Sequence, residues 1–206
     1  GFDQIPFFEE QTPANLAQRG RVNYRIGDPE LTDRNAWFNL ALPLASGGEL
    51  YGFGTFNSRD TLGAAFFRYP DGRSNIRAVY PNGFRPDTVG DNRDTALTGG
   101  WRGAFGAWDI DASLGWGQSD FTFGLERSLN ASLGTASPTR FRLADYRYDQ
   151  WVAVLDARRD LAFDAFASPL SFATGIEYRG EQFVARPGDP ASYAVGPLTD
   201  RAPGAQ

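Results

Sequence analysis

The side chains able to do chemistry in this sequence are arginines, aspartates and aromatic rings, and they crowd between residues 58 and 92. There Arg59, Arg68, Arg73, Arg77 and Arg85 are interleaved with Phe66, Phe67, Tyr69, Tyr80 and Phe84. A guanidinium grips anions through charge-assisted hydrogen bonds, and an aromatic ring offers a flat face for stacking or for a cation. Arg68, Tyr69, Arg73, Arg77, Tyr80, Phe84 and Arg85 are therefore the candidate substrate-binding set, with simple packing of a long segment as the plainer alternative. Asp87, Asp91 and Asp94 lie close together but lack the ordered spacing of a calcium loop, so solvated acids are expected there and no metal site. Asp109 and Asp111 share one face of a strand pattern and read as ordinary water-facing residues rather than a catalytic pair.

The absences are as informative. The chain has no Cys and no His, which removes the thiolate, the commonest general base and every Ser/His/Asp or Cys/His arrangement. Gly52-Phe53-Gly54 lacks the strand–turn–helix setting of a nucleotide loop. No enzyme and no cofactor are expected. All 20 basic residues are Arg and the net charge is −5, so there is no basic footprint and no nucleic-acid partner is expected. With no methionine anywhere, the sequence reads as a piece of a longer product. No run approaches the ~20 apolar residues of a membrane-spanning helix. The mean hydropathy of −0.41 resembles that of a soluble protein, but strands that alternate between two faces average out any membrane signal.

That alternation is the strongest pattern in the chain. Trp108, Ile110, Ala112, Leu114 and Trp116 alternate with Asp109, Asp111, Ser113, Gly115 and Gly117. A period of two is the signature of a strand with one apolar and one wet face. Leu97, Gly99, Trp101, Gly103 and Phe105 repeat the pattern, and the two strands meet at a Gly106–Ala107 turn. Ala36 to Leu44 and Glu49 to Asn57 form an earlier hairpin about Ser46-Gly47-Gly48, with Tyr51, Phe53 and Thr55 on one side of its second strand. Tyr148 to Ala157 is a further strand whose facing is ambiguous, because Val152 and Val154 compete with Trp151, Ala153 and Leu155. In the last strand Leu170, Phe172, Thr174, Ile176 and Tyr178 face one way, and Ser171, Ala173, Gly175, Glu177, Arg179 and Glu181 the other.

Residues 1–33 read as loop with one strand end at Arg21–Ile26, residues 34–184 as the strand region, and residues 185–206 as loop. Short turns alternate with long loops at 58–92 and 126–146, so the short turns collect at one end of the sheet and the long loops at the other. The expectation is an all-β fold: an antiparallel transmembrane β-barrel segment of about six long strands, with short periplasmic turns and long extracellular loops. Ile110, Leu114, Leu97, Phe172 and Ile176 are then expected against lipid. Asp109, Asp111, Arg102, Glu177, Arg179 and Glu181 are expected toward a lumen, the last three as a cross-strand ion-pair ladder. Tyr51, Phe53, Phe105 and Trp108 would form one interfacial girdle, and Trp116 and Tyr178 would lie near the other.

Several ordered fragments carry a family likeness. They are Gly27-Asp28-Pro29, Glu49-Leu50-Tyr51-Gly52-Phe53-Gly54 with Arg59-Asp60, Phe66-Phe67-Arg68, and the distinctive Tyr80-Pro81-Asn82-Gly83-Phe84-Arg85-Pro86. Ser128-Leu129-Asn130-Ala131-Ser132-Leu133-Gly134, Ser168-Pro169-Leu170, Gly175-Ile176-Glu177-Tyr178-Arg179 and Ala191-Ser192-Tyr193 follow. In their order and spacing the chain resembles the barrel region of TonB-dependent outer-membrane receptors. The resemblance implies TonB-dependent active uptake of a scarce nutrient: a ferric siderophore, cobalamin or an oligosaccharide. It implies as partners outer-membrane lipid and lipopolysaccharide, the small-molecule nutrient and, for the full-length protein, the TonB–ExbB–ExbD complex. It places the protein in the outer membrane of a Gram-negative bacterium, where the Asn130-Ala131-Ser132 sequon has no meaning and the loop arginines could also meet lipopolysaccharide phosphate. Neither a plug domain nor a TonB box is present in the sequence, and six strands are far fewer than the about 22 of such transporters. The competing expectation is a soluble all-β module that binds a ligand or carbohydrate through exposed Trp and Tyr.

Overall fold

The computed structural model describes residues 11–199, and the Phe7-Phe8-Glu9-Glu10 stretch lies outside them. Six strands, β1 (Glu30–Pro43), β2 (Glu49–Ala64), β3 (Asp87–Phe105), β4 (Trp108–Glu126), β5 (Phe141–Leu161) and β6 (Leu170–Pro187), form one antiparallel sheet in the order β1-β2-β3-β4-β5-β6. Each strand pairs with its sequence neighbour, and β1 and β6 are unpaired along their outer edges, so the sheet is open. Two four-residue helices, α1 (Pro13–Leu16) and α2 (Pro190–Tyr193), and a 3₁₀ turn at Ala131–Ala136 complete the described elements. No helix among the described residues is long and apolar enough to cross a membrane.

Local chemistry explains the turns. Gly106 takes φ 61, the left-handed value that a two-residue hairpin loop requires, and this sets Phe105 opposite Trp108. The β1–β2 turn closes through Leu44, whose N–H donates to the Gly48 carbonyl, with Gly47 and Gly48 both at positive φ.

The strands run further than alternation indicates. β2 continues to Ala64 and β3 begins at Asp87, so the long segment shrinks to residues 65–86; β5 begins at Phe141, which trims the next loop to 127–140. The extensions lie where polar and apolar residues mix on both faces and no period of two remains. Backbone pairing continues there through rows such as Asp60–Asp91–Thr122–Asp145. The stretch Arg21–Ile26 is not a strand; β1 begins only at Glu30.

Register assigns every side chain to a face. Leu40, Gly52, Gly99, Leu114, Ala153 and Tyr178 lie in one row across the sheet, so Trp151, Ala153 and Leu155 join the apolar face and Val152 and Val154 the polar one. Among the described residues nothing covers the apolar face: Phe38 is 46% exposed, Leu114 54% and Ile176 69%. The buried apolar side chains among the described residues instead gather at the long-loop end, with Tyr69, Ile76 and Phe84 in loop 65–86 and Phe141 at the start of β5.

The apolar face is a band with sharp limits. In β4 it runs from Trp108 to Trp116, about 27 Å at about 3.4 Å per residue. Beyond it the same face turns charged: Arg34 meets Asp60 at 3.3 Å, Arg147 meets Asp120 at 2.6 Å and Arg93 meets Asp91 at 3.3 Å. Toward the short turns the band ends in Trp108 edge-on to Phe172, with the Arg159 guanidinium 5.9 Å from the Trp108 ring. Trp116 and Trp151, 6.2 Å apart, mark the other limit.

The band is also slanted. Asn39, Phe53, Thr98, Gly115, Val152 and Arg179 form one row perpendicular to the strands. Past that row β1 ends at Pro43, β3 at Phe105 and β5 at Leu161, so the short turns step steadily away from it. At about 3.4 Å per residue and about 4.8 Å between strands, the strands lean roughly 40° from the perpendicular to the line of turns.

Candidate functional site

The long-loop end of the sheet is a folded cap rather than a set of open loops. Asn15 and Asn75 are fully buried, and both serve as backbone anchors. The Asp71 N–H donates to Asn15 Oδ1 at 3.0 Å, while Thr12 Oγ1 donates to the Asp71 carboxylate, so the α1 segment is fastened to loop 65–86. Asn75 Nδ2 donates to the Pro70 and Tyr80 carbonyls at 2.9 and 3.0 Å and closes the loop on itself. Loop 127–140 joins through Asn130, whose Nδ2 donates to the carbonyls of Ala191 and Ala194 at 2.9 and 2.8 Å, drawing α2 onto the 3₁₀ turn. Buried amides satisfied in this way fix a loop conformation much as a ladder fixes a strand.

The cap sorts the seven candidate binding residues into two groups. Tyr69 and Phe84 are buried, and Tyr80 stacks on Phe84 at 4.4 Å while its hydroxyl donates to the Ser128 carbonyl at 3.3 Å. Burial pushes the Tyr80 phenol above its ordinary pKa. Arg77 reaches the buried Asp71 at 3.2 Å; Arg85 reaches the buried Asp87 at 3.5 Å, where Arg127 also arrives. These five residues build the cap. Arg68 and Arg73 are exposed and, with Ser74 and one edge of Phe84, line a cavity of about 440 Å³ whose far wall is Asn130 and Ser132. Two guanidiniums opposite hydroxyl and amide groups suit a polar ligand with some negative character.

The aspartates do not converge. Asp87 binds Arg85, Asp91 pairs with Arg93, and Asp94 accepts from Asn92 at 2.5 Å; Asp94 faces away from the other two, which stand four residues apart along one face of β3. Among the described residues no group of three or more His, Cys, Asp or Glu could hold a metal ion.

A second concavity lies on the polar face at the short-turn end. It measures about 720 Å³ and is lined by Glu49, Arg102, Asp109, Asp111, Asp156 and Arg158 among others. Arg102 binds Glu49 at 2.5 Å and lies 5.5 Å from the Tyr51 ring. Tyr51 and Phe53 belong to this polar face, paired through Gly100 and Thr98, and not to the girdle expected of them; Phe105 and Trp108 do lie on the apolar face. Arg179 pairs with Glu177 at 2.9 Å and Glu181 at 3.9 Å within β6 itself, so the expected cross-strand ladder is a same-strand one.

Sequence reasoning also passed over Asn15, Asn75 and Asn130 as anchors, and an aromatic row on the polar face formed by Phe121, Tyr146 and Phe183. The row had a signal, since each ring falls on the wet phase of its strand. No family model, curated protein or solved structure matches the chain.

Proposed function

We propose that the chain is part of the wall of an outer-membrane β-barrel receptor that takes up a scarce nutrient in the TonB-dependent manner. The observation that carries the membrane half of this reading is the slanted apolar band. It is uncovered, about nine residues tall, edged by aromatic rings and succeeded by charge, and its strands lean by roughly 40°. Spanning strands need about 9–11 residues at a tilt of about 35–45°, with a lipid-facing band about 25 Å tall between aromatic girdles. A water-facing sheet would leave Leu114 and Ile176 in solvent with nothing to bury them.

The uptake half rests on the family resemblance, supported by the folded cap with its Arg68 and Arg73 cavity above the wall. Missing from the described residues are the neighbours of β1 and β6, which a closed wall requires because unpaired backbone groups are too costly in hydrocarbon. The deciding experiment is flotation of the purified protein with phospholipid vesicles, alongside gel filtration in detergent-free buffer. Co-flotation is expected; a monodisperse monomer in plain buffer that stays with the aqueous fraction would overturn the reading.

A further inference from the structure

The rings of Phe123, Phe121, Tyr146 and Phe183 form a continuous ladder across β4, β5 and β6. Successive centroids lie 6.2, 6.3 and 6.0 Å apart, with planes inclined by only 20°, 13° and 15°. On the apolar face the corresponding pairs are inclined by 44° and 75°, so parallel rings are particular to this row. All four rings sit on the polar face: Phe121 is opposite Tyr146, and Phe183 is opposite Tyr148 one pleat away. The row opens along its length, from half-buried Phe121 and Phe123 to Tyr146 at 37% and Phe183 at 64% exposed. Apolar rings aligned on the wet face present a continuous strip of hydrophobic surface that is most open at Phe183.

The groups beside the ladder select what continues it. Gln150 Nε2 donates to Glu181 Oε1 at 2.7 Å and to the Tyr148 hydroxyl at 3.0 Å, and Asn92 donates to Asp94 at 2.5 Å. Arg59 is already paired with Asp33 at 2.8 Å, and Arg179 with Glu177 at 2.9 Å and Glu181 at 3.9 Å, so both nearby guanidiniums are engaged while Asp94 meets the Asn92 amide. An anionic ligand would meet carboxylates there, whereas a hydroxyl-rich neutral one finds amides and carboxylates able to exchange hydrogen bonds with it. We infer that the ladder is a binding track for a neutral oligosaccharide, whose pyranose faces stack on the rings while its hydroxyls engage the Gln150, Tyr148 and Glu181 edge. Three contacts of about 6 Å extend beyond one sugar ring, so several linked units are bound rather than a monosaccharide.

The track rests on the proposed barrel reading, in which the polar face lines an aqueous interior. The test uses the intact protein in a sugar-free detergent, titrated calorimetrically with maltohexaose, cellohexaose and chitohexaose, with glucose and 2,3-dihydroxybenzoate as comparators. At least one hexasaccharide should bind, and glucose far more weakly. Tyr146→Ala and Phe183→Ala should each weaken binding about three- to tenfold, the share expected of one aromatic contact. Tyr146→Phe and Phe183→Trp should retain binding, and Ile176→Ala, on the apolar face, should leave it unchanged. No hexasaccharide binding, tighter binding of the aromatic acid, or full affinity in both alanine variants would each overturn the track. Vesicle flotation of the same preparations separates these outcomes from failure of the membrane reading, which would appear as loss of flotation in the unsubstituted protein.

Discussion

The hydroxyl of Tyr51 in β2 donates to Asp111 Oδ1 in β4 at 2.5 Å, spanning the intervening strand β3. The reach exists because Gly100 stands between them: a Cβ there would come within 2.5 Å of Tyr51 Cζ and 2.8 Å of the Ala112 carbonyl. Tyrosine, glycine and aspartate thus form one device on the polar face, which ties three strands with a single side chain. Gly100→Ala should displace the ring and destabilise the wall by about 1–3 kcal/mol, as overpacking does. Tyr51→Phe, which removes only the hydrogen bond and leaves Asp111 half-exposed, should cost about 1 kcal/mol. Denaturant unfolding in micelles measures both, and a Gly100→Ala/Tyr51→Ala pair should be less harmful than the sum of its parts.

A charge placed on either side of β4 reports the solvent. Leu114→Arg puts a guanidinium in the middle of the apolar band and should cost about 2–4 kcal/mol of assembly in a bilayer. Ser113→Arg points to the polar face and should be tolerated. The readout is the folded fraction on refolding into vesicles, from the gel shift between unheated and heated samples. Equal tolerance at the two positions would mean that the apolar band does not face lipid.

The charged collar should loosen in acid. The Arg147 guanidinium, hydrogen-bonded to Asp120, holds that carboxyl below the usual aspartate range, and Arg59 does the same for Asp33. A depressed folded pKa contributes stability that is complete above the unfolded value and is lost as pH falls through the folded one. Protection factors of the Asp120 and Arg147 amides, taken relative to the intrinsic exchange rate at each pH, should therefore fall on acidification and change little between neutral and mildly alkaline pH. Because both pairs are solvent-exposed, added salt should blunt the effect.

Asn130 is the keystone of the cap. Its side chain donates to Ala191 and Ala194 and accepts from the N–H and hydroxyl of Ser132. Asn130→Ala takes the amide donor from the Ala191 carbonyl, leaves the Ala194 carbonyl to the Ser132 hydroxyl, and should destabilise the cap by about 1–3 kcal/mol while leaving the sheet intact. Hydrogen exchange should then accelerate over residues 188–198 and not in β3 or β4.

Alternation made the sheet legible. The faces of Leu97–Phe105, Trp108–Trp116 and Leu170–Tyr178 follow directly from a period of two, and so do the hairpins about Gly47 and Gly106. What stayed hidden has a common physical origin, namely pairing and packing that no period marks. The polar strand ends continue by backbone pairing and by cross-strand side-chain pairs such as Arg59–Asp33 and Thr122–Asp145. The facing of β5 is decided by its neighbours, since Trp116 lies opposite Trp151 and so settles a run in which both phases are apolar. Tyr51 is amphipathic, and its place on the polar face depends on Gly100 and Asp111, which are about 50 and 60 residues away in sequence. Within the loops, composition singled out aromatic and Arg-rich residues without separating those that build the cap from those that line its cavity. That division comes from tertiary partners such as Asp71, Asp87 and Ser128.

The strict neighbour-to-neighbour order of the sheet bears on how such a wall comes into being. Every strand pairs with its neighbour in sequence, so no backbone ladder joins strands that another strand separates in the chain. β-Hairpins form in about 1–10 μs, and pairing between successive strands lets the sheet grow one hairpin at a time. A chain built in this way can be fed progressively from either end, each new edge serving as the template for the next strand.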